Sequence, residues 1–328
     1  MRSASIGSGF GILGMGGYLP SEVVDNEEIA RGANTTVEWI EERTGVHSRR
    51  RARSGERVAD MAAAACRAAM ADTVGRTGGR AHPELLVTAC SNPDRRLPAH
   101  AFDVHSRLEL GHIPALNLDA ACAGFAQGMV TAHAYYRAGM ASEALIVGSH
   151  RVEGSVDMTD RRVAPLFGDG AGAFVMGPVP EGYGILGELL LTESTYVEAL
   201  HAPYPGTVPL GEDLMDMDGH TLTQVFATFL PQMMNKVLGE LSMTLQDVEH
   251  FILHQANVRM LASMGDALGV DPRRISTVGR RIGNTTSASL PLTSVKAEEE
   301  IGFQRGDLIL FATGGAGVNG AVIVLRWY

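Results

Sequence analysis

Apolar positions along the chain fall into short continuous runs that alternate with longer stretches of helical spacing. Ala115-Leu116-Asn117-Leu118 reads as the end of a buried strand, and Phe125-Ala126-Gln127-Gly128-Met129-Val130 continues at helical spacing. Between them, small residues on both sides of Cys122 allow a sharp turn. Residues 85–90 and 144–149 read as further buried strands, and residues 167–176 as a Gly-rich turn entering another. Residues 38–43 form a helix stopped at Thr44-Gly45, the Ala-rich residues 58–71 a helix packed closely on a sheet, and residues 102–110 one more. The Gly-rich residues 6–18 are consistent with a first strand and a turn.

The second part of the chain replays this order. Residues 185–191 open it as a strand, residues 222–238 have helical periodicity, and residues 251–254 parallel 85–90. A helix over 260–268 follows, and 283–295 parallel the turn and helix at Cys122. Residues 308–312 and 321–325 match the last two strands of the first half. Strands alternating with helices predict an α/β fold, each half a parallel or mixed sheet with helices on both faces. The repeated order implies an internal duplication, with halves 1–180 and 181–328 joined where Pro178, Pro180 and Gly182 cluster.

Composition narrows the function classes. The 328 residues are 45% hydrophobic with a formal net charge of −10, which argues against nucleic acid as the main partner. No apolar run approaches the ~20 residues of a membrane span, so a soluble, cytoplasmic protein is expected. Three cysteines without paired spacing, Cys66, Cys90 and Cys122, make a disulfide framework or a zinc site unexpected. The cluster Arg49-Arg50-Arg51 with Arg53 reads as a solvated basic face, or alternatively as a phosphate contact.

Three residues suggest chemistry. Cys122 at a strand-to-helix turn sits on a helix N-terminus, where the dipole and free N–H groups favour thiolate and can hold an oxyanion. His254 closes an apolar strand and is followed by Gln255 and Asn257, at a strand's carboxyl end, where open α/β folds place ligands. Asn284 lies in a glycine-started turn before a helix. Taken singly, they read as readily as a small core cysteine, a satisfied core histidine and a turn asparagine. Their equivalent positions at strand-to-helix turns favour a shared site.

The residues Ala120-Ala121-Cys122-Ala123-Gly124-Phe125, His254-Gln255-Ala256-Asn257 and Gly283-Asn284-Thr285 resemble, in order, the Cys, His and Asn motifs of the thiolase superfamily. More specifically, they resemble the β-ketoacyl-acyl carrier protein synthase III group. Glu38-Trp39-Ile40, Arg43-Thr44-Gly45 and Phe167-Gly168-Asp169-Gly170-Ala171-Gly172 match as well, so the resemblance spans essentially the whole chain. It implies a thiolase-like fold of two pseudo-duplicated halves packed as five αβαβα layers. It also implies an acyltransferase that loads an acyl group from acyl-CoA, or from an acyl carrier protein, onto Cys122 and condenses it with a malonyl-type thioester. The resemblance makes Cys122, His254 and Asn284 catalytic, and assigns the oxyanion hole to the N–H groups of Cys122 and Gly315. Trp39, Arg43, Arg161, Asn257 and Arg259 would bind coenzyme A, a substrate thiol rather than a resident cofactor, with no metal. It further implies a homodimer, with Leu97 reaching the partner's pocket.

Departures from the family pattern keep a second reading open. The C-terminal glycine turn continues Ala316-Gly317-Val318-Asn319-Gly320 where aromatics are common, and Gln224, Asp266 and Ala267 stand where carrier-docking members carry basic residues. The alternative is an acyltransferase of the same fold that moves the acyl group to an oxygen, nitrogen or unusual carbon without decarboxylation. A non-catalytic partner subunit is disfavoured by Cys122 itself. A thiolase proper is disfavoured because no second cysteine follows Cys122.

Overall fold

The computed structural model describes residues 9–209 and 212–328, so residues 6–8 of the expected first strand lie outside the described residues. The first half comprises β1 (Gly9–Tyr18), a ribbon of β2 (Glu22–Asp25) and β3 (Ser48–Arg51) enclosing α1 (Asn26–Gly32) and α2 (Val37–Thr44), then α3 (Val58–Thr77), β4 (Leu85–Ala89) and α4 (His100–His105). It continues with β5 (Ala115–Leu118), α5 (Gly124–Arg137), β6 (Ala144–His150) and β7 (Gly170–Val179). The second half holds β8 (Gly184–Thr192), a short ribbon of β9 (Leu200–His201) and β10 (Asp216–Met217), α6 (Gly219–Glu240) and β11 (His250–Leu253). It ends with α7 (Val258–Leu268), α8 (Gly279–Ile282), α9 (Ser289–Glu300), β12 (Leu308–Gly315) and β13 (Asn319–Arg326).

The first sheet runs β1-β7-β6-β4-β5, with β4 parallel to both β5 and β6 and β7 antiparallel to both its neighbours. The second runs β8-β13-β12-β11 and repeats the first four positions in the same sense, with β11 parallel to β12. Its fifth position is reduced to one parallel bridge between Phe251 and Ile275. Both sheets are covered on both faces, which is why β4, β6 and β12 are buried along their whole length and read as continuous apolar runs.

Helices α5 and α9 lie between the sheets, α3 covers the outer face of the first, and α6 and α7 cover the outer face of the second, which completes five layers. The central core joins both sheets through α5. Phe125, one turn past Cys122, packs edge-on to Phe174 of β7 with ring centroids 4.9 Å apart, and Phe174 meets Phe311 of β12. Truncating such a buried phenylalanine costs ~3–5 kcal/mol, so the helix that carries the candidate nucleophile is pinned between the halves.

Three expectations change. The helix expected over 102–110 is the shorter α4, followed by irregular turns. Strand β5 is half-buried rather than buried, because it is the sheet's edge and has only β4 beside it. Within the arginine cluster, Arg49, Arg50 and Arg51 donate to backbone carbonyls rather than forming a solvated face, while Arg53 is exposed. Arg49 is fully buried and donates to the carbonyls of Val24 and Pro165, and burial pushes its guanidinium down to about 10. Arg51 donates to the Phe167 carbonyl (2.8 Å) and Arg50 to that of Pro20. The β2–β3 ribbon thereby fastens the segment leading into β7.

Candidate active site

The turn at Cys122 departs from regular structure. After β5, Ala120 has φ −141° and Ala121 φ +47°, then a 3₁₀ turn over Ala121–Ala123 runs straight into α5. A non-glycine residue in the left-handed region costs ~1–3 kcal/mol and is held by its surroundings. The second half repeats the device at Thr286 (φ +46°), followed by Ser287 and α9. Ser287 is the positional mate of Cys122, and its hydroxyl donates to the carbonyls of Ala89 and Ser149. One half thus uses this turn to hold the other half's sheet, while the other half's turn presents a thiol.

Cys122, His254, Asn284, Asn257 and Gly315 line one cavity of about 740 Å³, within the range of small-molecule sites. The structure brings the three candidate catalytic residues to it from α5's entry turn, from just past β11, and from the turn before α9. Gly315 ends β12 beside the nucleophile turn. A Cβ built on it would lie 2.9 Å from the Ala120 carbonyl oxygen and 3.0 Å from the Cys122 nitrogen. Only glycine lets β12 pack this closely on the turn that carries Cys122.

His254 is buried, and both its ring nitrogens lack a hydrogen-bond partner. Burial alone pushes its pKa down from 6.5 to about 4, so the ring is neutral near neutral pH and one N–H remains to donate. Two orphaned buried ring nitrogens are costly, and a substrate oxygen arriving in the cavity would relieve that cost. Asn284 is oriented by its neighbours. Its Oδ1 accepts from Thr286 N–H (2.8 Å), which leaves the NH₂ as the donor. Its backbone is bracketed by Leu166 O and Gly168 N–H. This explains the Phe167-Gly168-Asp169-Gly170 motif, because a Cβ on Gly168 would strike the Ile282 carbonyl and one on Gly283 the Leu166 carbonyl. The Asp169 carboxylate accepts from the Val152 and Ala52 amides, both at 2.7 Å.

The thiolate expectation is corrected. Burial pushes the Cys122 thiol up to about 12, and its own backbone N–H only partly opposes this. Desolvation of the buried anion is the larger of the two effects, so Cys122 rests as a thiol in the cavity it shares with the neutral His254 imidazole. Alkylation of Cys122 by iodoacetamide should therefore rise about tenfold per pH unit from roughly pH 7 to 10, tracking the thiolate fraction. A rate that is already flat in pH at neutrality would show a preformed thiolate–imidazolium pair and refute this.

The candidate coenzyme A residues divide. Asn257 lines the cavity, but its polar atoms are engaged. Its Oδ1 caps α7 by accepting from Arg259 and Met260 N–H, and its Nδ2 donates to the Arg43 carbonyl (3.0 Å). Arg259 Nε reaches the Glu41 carbonyl, so α2 and α7 are tied together beside the cavity. Trp39, Arg43, Arg161 and Arg259 are outside the cavity wall. The Arg161 guanidinium lies over the Trp39 ring at 5.3 Å from its centroid, so a base held between them requires the exposed Arg161 to swing aside.

Sequence reasoning missed Thr313 and gave no supporting role to Asn319, both of which hydrogen-bond to the nucleophile turn, or to Gln255, whose buried amide binds the backbone at Leu253, Ser276, Val278 and Gly279. The polar residue directly after His254 was the one available signal.

A duplicated α/β fold whose two strand-to-helix turns meet at one cavity, lined by a thiol, a neutral imidazole and a carboxamide, defines a protein of the thiolase superfamily. Two family models match: 3-oxoacyl-[acyl-carrier-protein (ACP)] synthase III over residues 116–194 and its C-terminal region over residues 238–327. A β-ketoacyl-[acyl-carrier-protein] synthase III of Geobacillus kaustophilus is 36% identical over 320 residues, covering 97% of this chain and 99% of that protein. The crystal structure of 3-oxoacyl-[acyl-carrier-protein] synthase III from Aquifex aeolicus superposes with TM-score 0.89 at 30% identity, covering 97% of this chain and 100% of that one. That of the priming β-ketosynthase from the R1128 polyketide pathway superposes with TM-score 0.90 at 28% identity, covering 99% and 98%. The chain belongs to the 3-oxoacyl-[acyl-carrier-protein] synthase III family.

Proposed function

We propose that this protein joins an acyl group to a malonyl-type thioester by decarboxylative Claisen condensation, in fatty acid or polyketide biosynthesis. The observation that carries the reading is the buried, unpartnered imidazole of His254 in one cavity with Cys122 and the NH₂ of Asn284. In the first half-reaction the Cys122 sulfur attacks the acyl-CoA carbonyl while the N–H groups of Cys122 and Gly315 receive the oxyanion. The C–S bond to coenzyme A then breaks, and free coenzyme A leaves with the thiol proton. In the second, the malonyl thioester oxygen accepts hydrogen bonds from His254 and Asn284, CO₂ departs, and the resulting carbanion attacks the acyl-cysteine. The β-ketoacyl thioester leaves and the Cys122 thiol is restored after uptake of one proton. Two neutral donors suit this step, since they stabilise a developing anion without a fixed charge that would favour the ground-state carboxylate. The test is labelled CO₂ release from malonyl-CoA by acyl-loaded protein.

Coenzyme A and a malonyl thioester on coenzyme A or acyl carrier protein are the small partners of this reading, in which Trp39, Arg161, Arg43 and Arg259 would meet the coenzyme A. Among the described residues no helix is long and apolar enough to cross a membrane. Three buried free cysteines suit the reducing cytoplasm.

The functional unit in this reading is a homodimer. Strand β5 presents an unpaired edge, the usual site of strand-to-strand association. Leu97 is 86% exposed and Phe102 of α4 54% exposed, apolar surface suited to a self-complementary twofold interface. Sedimentation velocity should give the dimer mass for the parent and a shift toward monomer for Leu97→Glu. A fully active monomeric parent would rule the dimer out.

A further inference from the structure

The nucleophile turn belongs to the first half, yet the side chains that grip its backbone come from the second. The Thr313 hydroxyl on β12 is fully buried and donates to the Cys122 carbonyl at 3.0 Å. Asn319 Nδ2 on β13 donates to the Ala120 carbonyl at 3.4 Å and to the Ala316 carbonyl, while Gln127 Nε2 of α5 donates to Asn319 Oδ1 at 3.3 Å. The Ala120 carbonyl also accepts from Ala123 N–H (3.0 Å), which closes the 3₁₀ turn. The two gripped carbonyls flank one peptide unit, the unit that joins left-handed Ala121 to Cys122 and carries the Cys122 N–H.

We propose that Thr313, supported by Asn319, is a positioning residue that aims the Cys122 N–H into the oxyanion hole. The proposal rests on the reading of Cys122 as the acyl-accepting nucleophile. Strand β12 carries both halves of the arrangement, since Gly315 lies two residues beyond Thr313 against the Cys122 nitrogen. The hydroxyl fixes the far side of the Cys122 residue and Asn319 the near side, so the peptide between them cannot rotate its N–H away from Gly315. Without that hold, the left-handed Ala121 is free to relax. An oxyanion-hole donor works only within about 2.7–3.1 Å of the developing charge, and a misplacement of about 1 Å can cost 10²-fold. Thr313 touches neither thioester nor sulfur in this scheme and acts through the backbone it holds.

The two reactions of Cys122 separate this role from a merely structural one. Acylation by a thioester develops an oxyanion, whereas alkylation by iodoacetamide does not. Thr313→Val keeps the shape and removes only the hydroxyl. It should slow formation of the acyl-enzyme from acetyl-CoA by about tenfold to 10²-fold, with the KM for acetyl-CoA and the iodoacetamide rate within about threefold of the parent. Thr313→Ser should restore acylation. Asn319→Asp, which removes the donor at near-constant size, provides a second route should the valine variant fail to fold, and it should show the same selective loss. Acylation at the parent rate in either folded variant, equal losses in acylation and alkylation, or no rescue by serine would overturn the proposal. A parent that alkylates at Cys122 but never acylates there would instead overturn the nucleophile reading beneath it.

Discussion

Cys122→Ala should form no acyl-enzyme with any acyl-CoA, and its turnover should fall by a factor on the order of 10⁶, the scale reached when a covalent nucleophile is removed. The informative control is Cys90. It lines the same cavity, and burial pushes its thiol up to about 12, as it does that of Cys122. Acidity therefore does not distinguish the two sulfurs. Position does: Cys122 sits on the turn whose N–H lies beside Gly315, while Cys90 follows β4 with its sulfur 3.9 Å from Asn92 Oδ1. Cys90→Ala and the deeply buried Cys66→Ala should keep full labelling. Intact mass after incubation with acetyl-CoA reads the outcome directly, and a normal acetyl shift on Cys122→Ala would sink the assignment.

His254→Ala and Asn284→Ala should each lower labelled CO₂ release from malonyl-CoA by a factor on the order of 10²–10³, the cost of losing one preorganised oxyanion donor. Acylation of Cys122 should survive both changes within about tenfold. Neither His254 nitrogen is hydrogen-bonded in the resting site, so the imidazole does not hold the thiol proton, and in the proposed scheme the acylation oxyanion is received by backbone N–H groups that both variants keep. The donor state of His254 also sets a pH dependence. With its pKa lowered to about 4, the ring stays neutral at all higher pH, so its protonation should not limit CO₂ release between roughly pH 5 and 8. The competing reading makes a different pattern. An enzyme that passes the acyl group to an alcohol or amine uses His254 as general base and needs Asn284 only for orientation. No CO₂ from the parent, together with near-normal turnover in Asn284→Ala, would replace condensation by simple acyl transfer.

Nearly every strand of the two sheets is legible in the chain because parallel strands buried on both faces leave a continuous apolar run. Residues 85–90, 144–149 and 308–312 show this plainly. The order of elements in the two halves revealed the duplication, and the motifs around Cys122, His254 and Asn284 revealed three positions worth joining. Those signals are local: each depends on a few neighbours in sequence.

What the tertiary structure alone decided is long-range. The half-burial of β5 follows from its place at the sheet edge, which its own residues do not encode. Arg49 reads as a surface charge until carbonyls from Val24 and Pro165 meet around it. The acidity of Cys122 turns on how much water the assembled halves exclude, and that desolvation pushes the thiol up where the sequence position pointed to a lowered value. Thr313 and Asn319 grip the nucleophile turn across 191 and 199 residues of chain, contacts set by the stacking of one sheet's turn on the other's strands. Local pattern therefore determined the elements and nominated the reacting groups, while their protonation, orientation and support came from packing between the halves, because desolvation and backbone hydrogen bonding act through space.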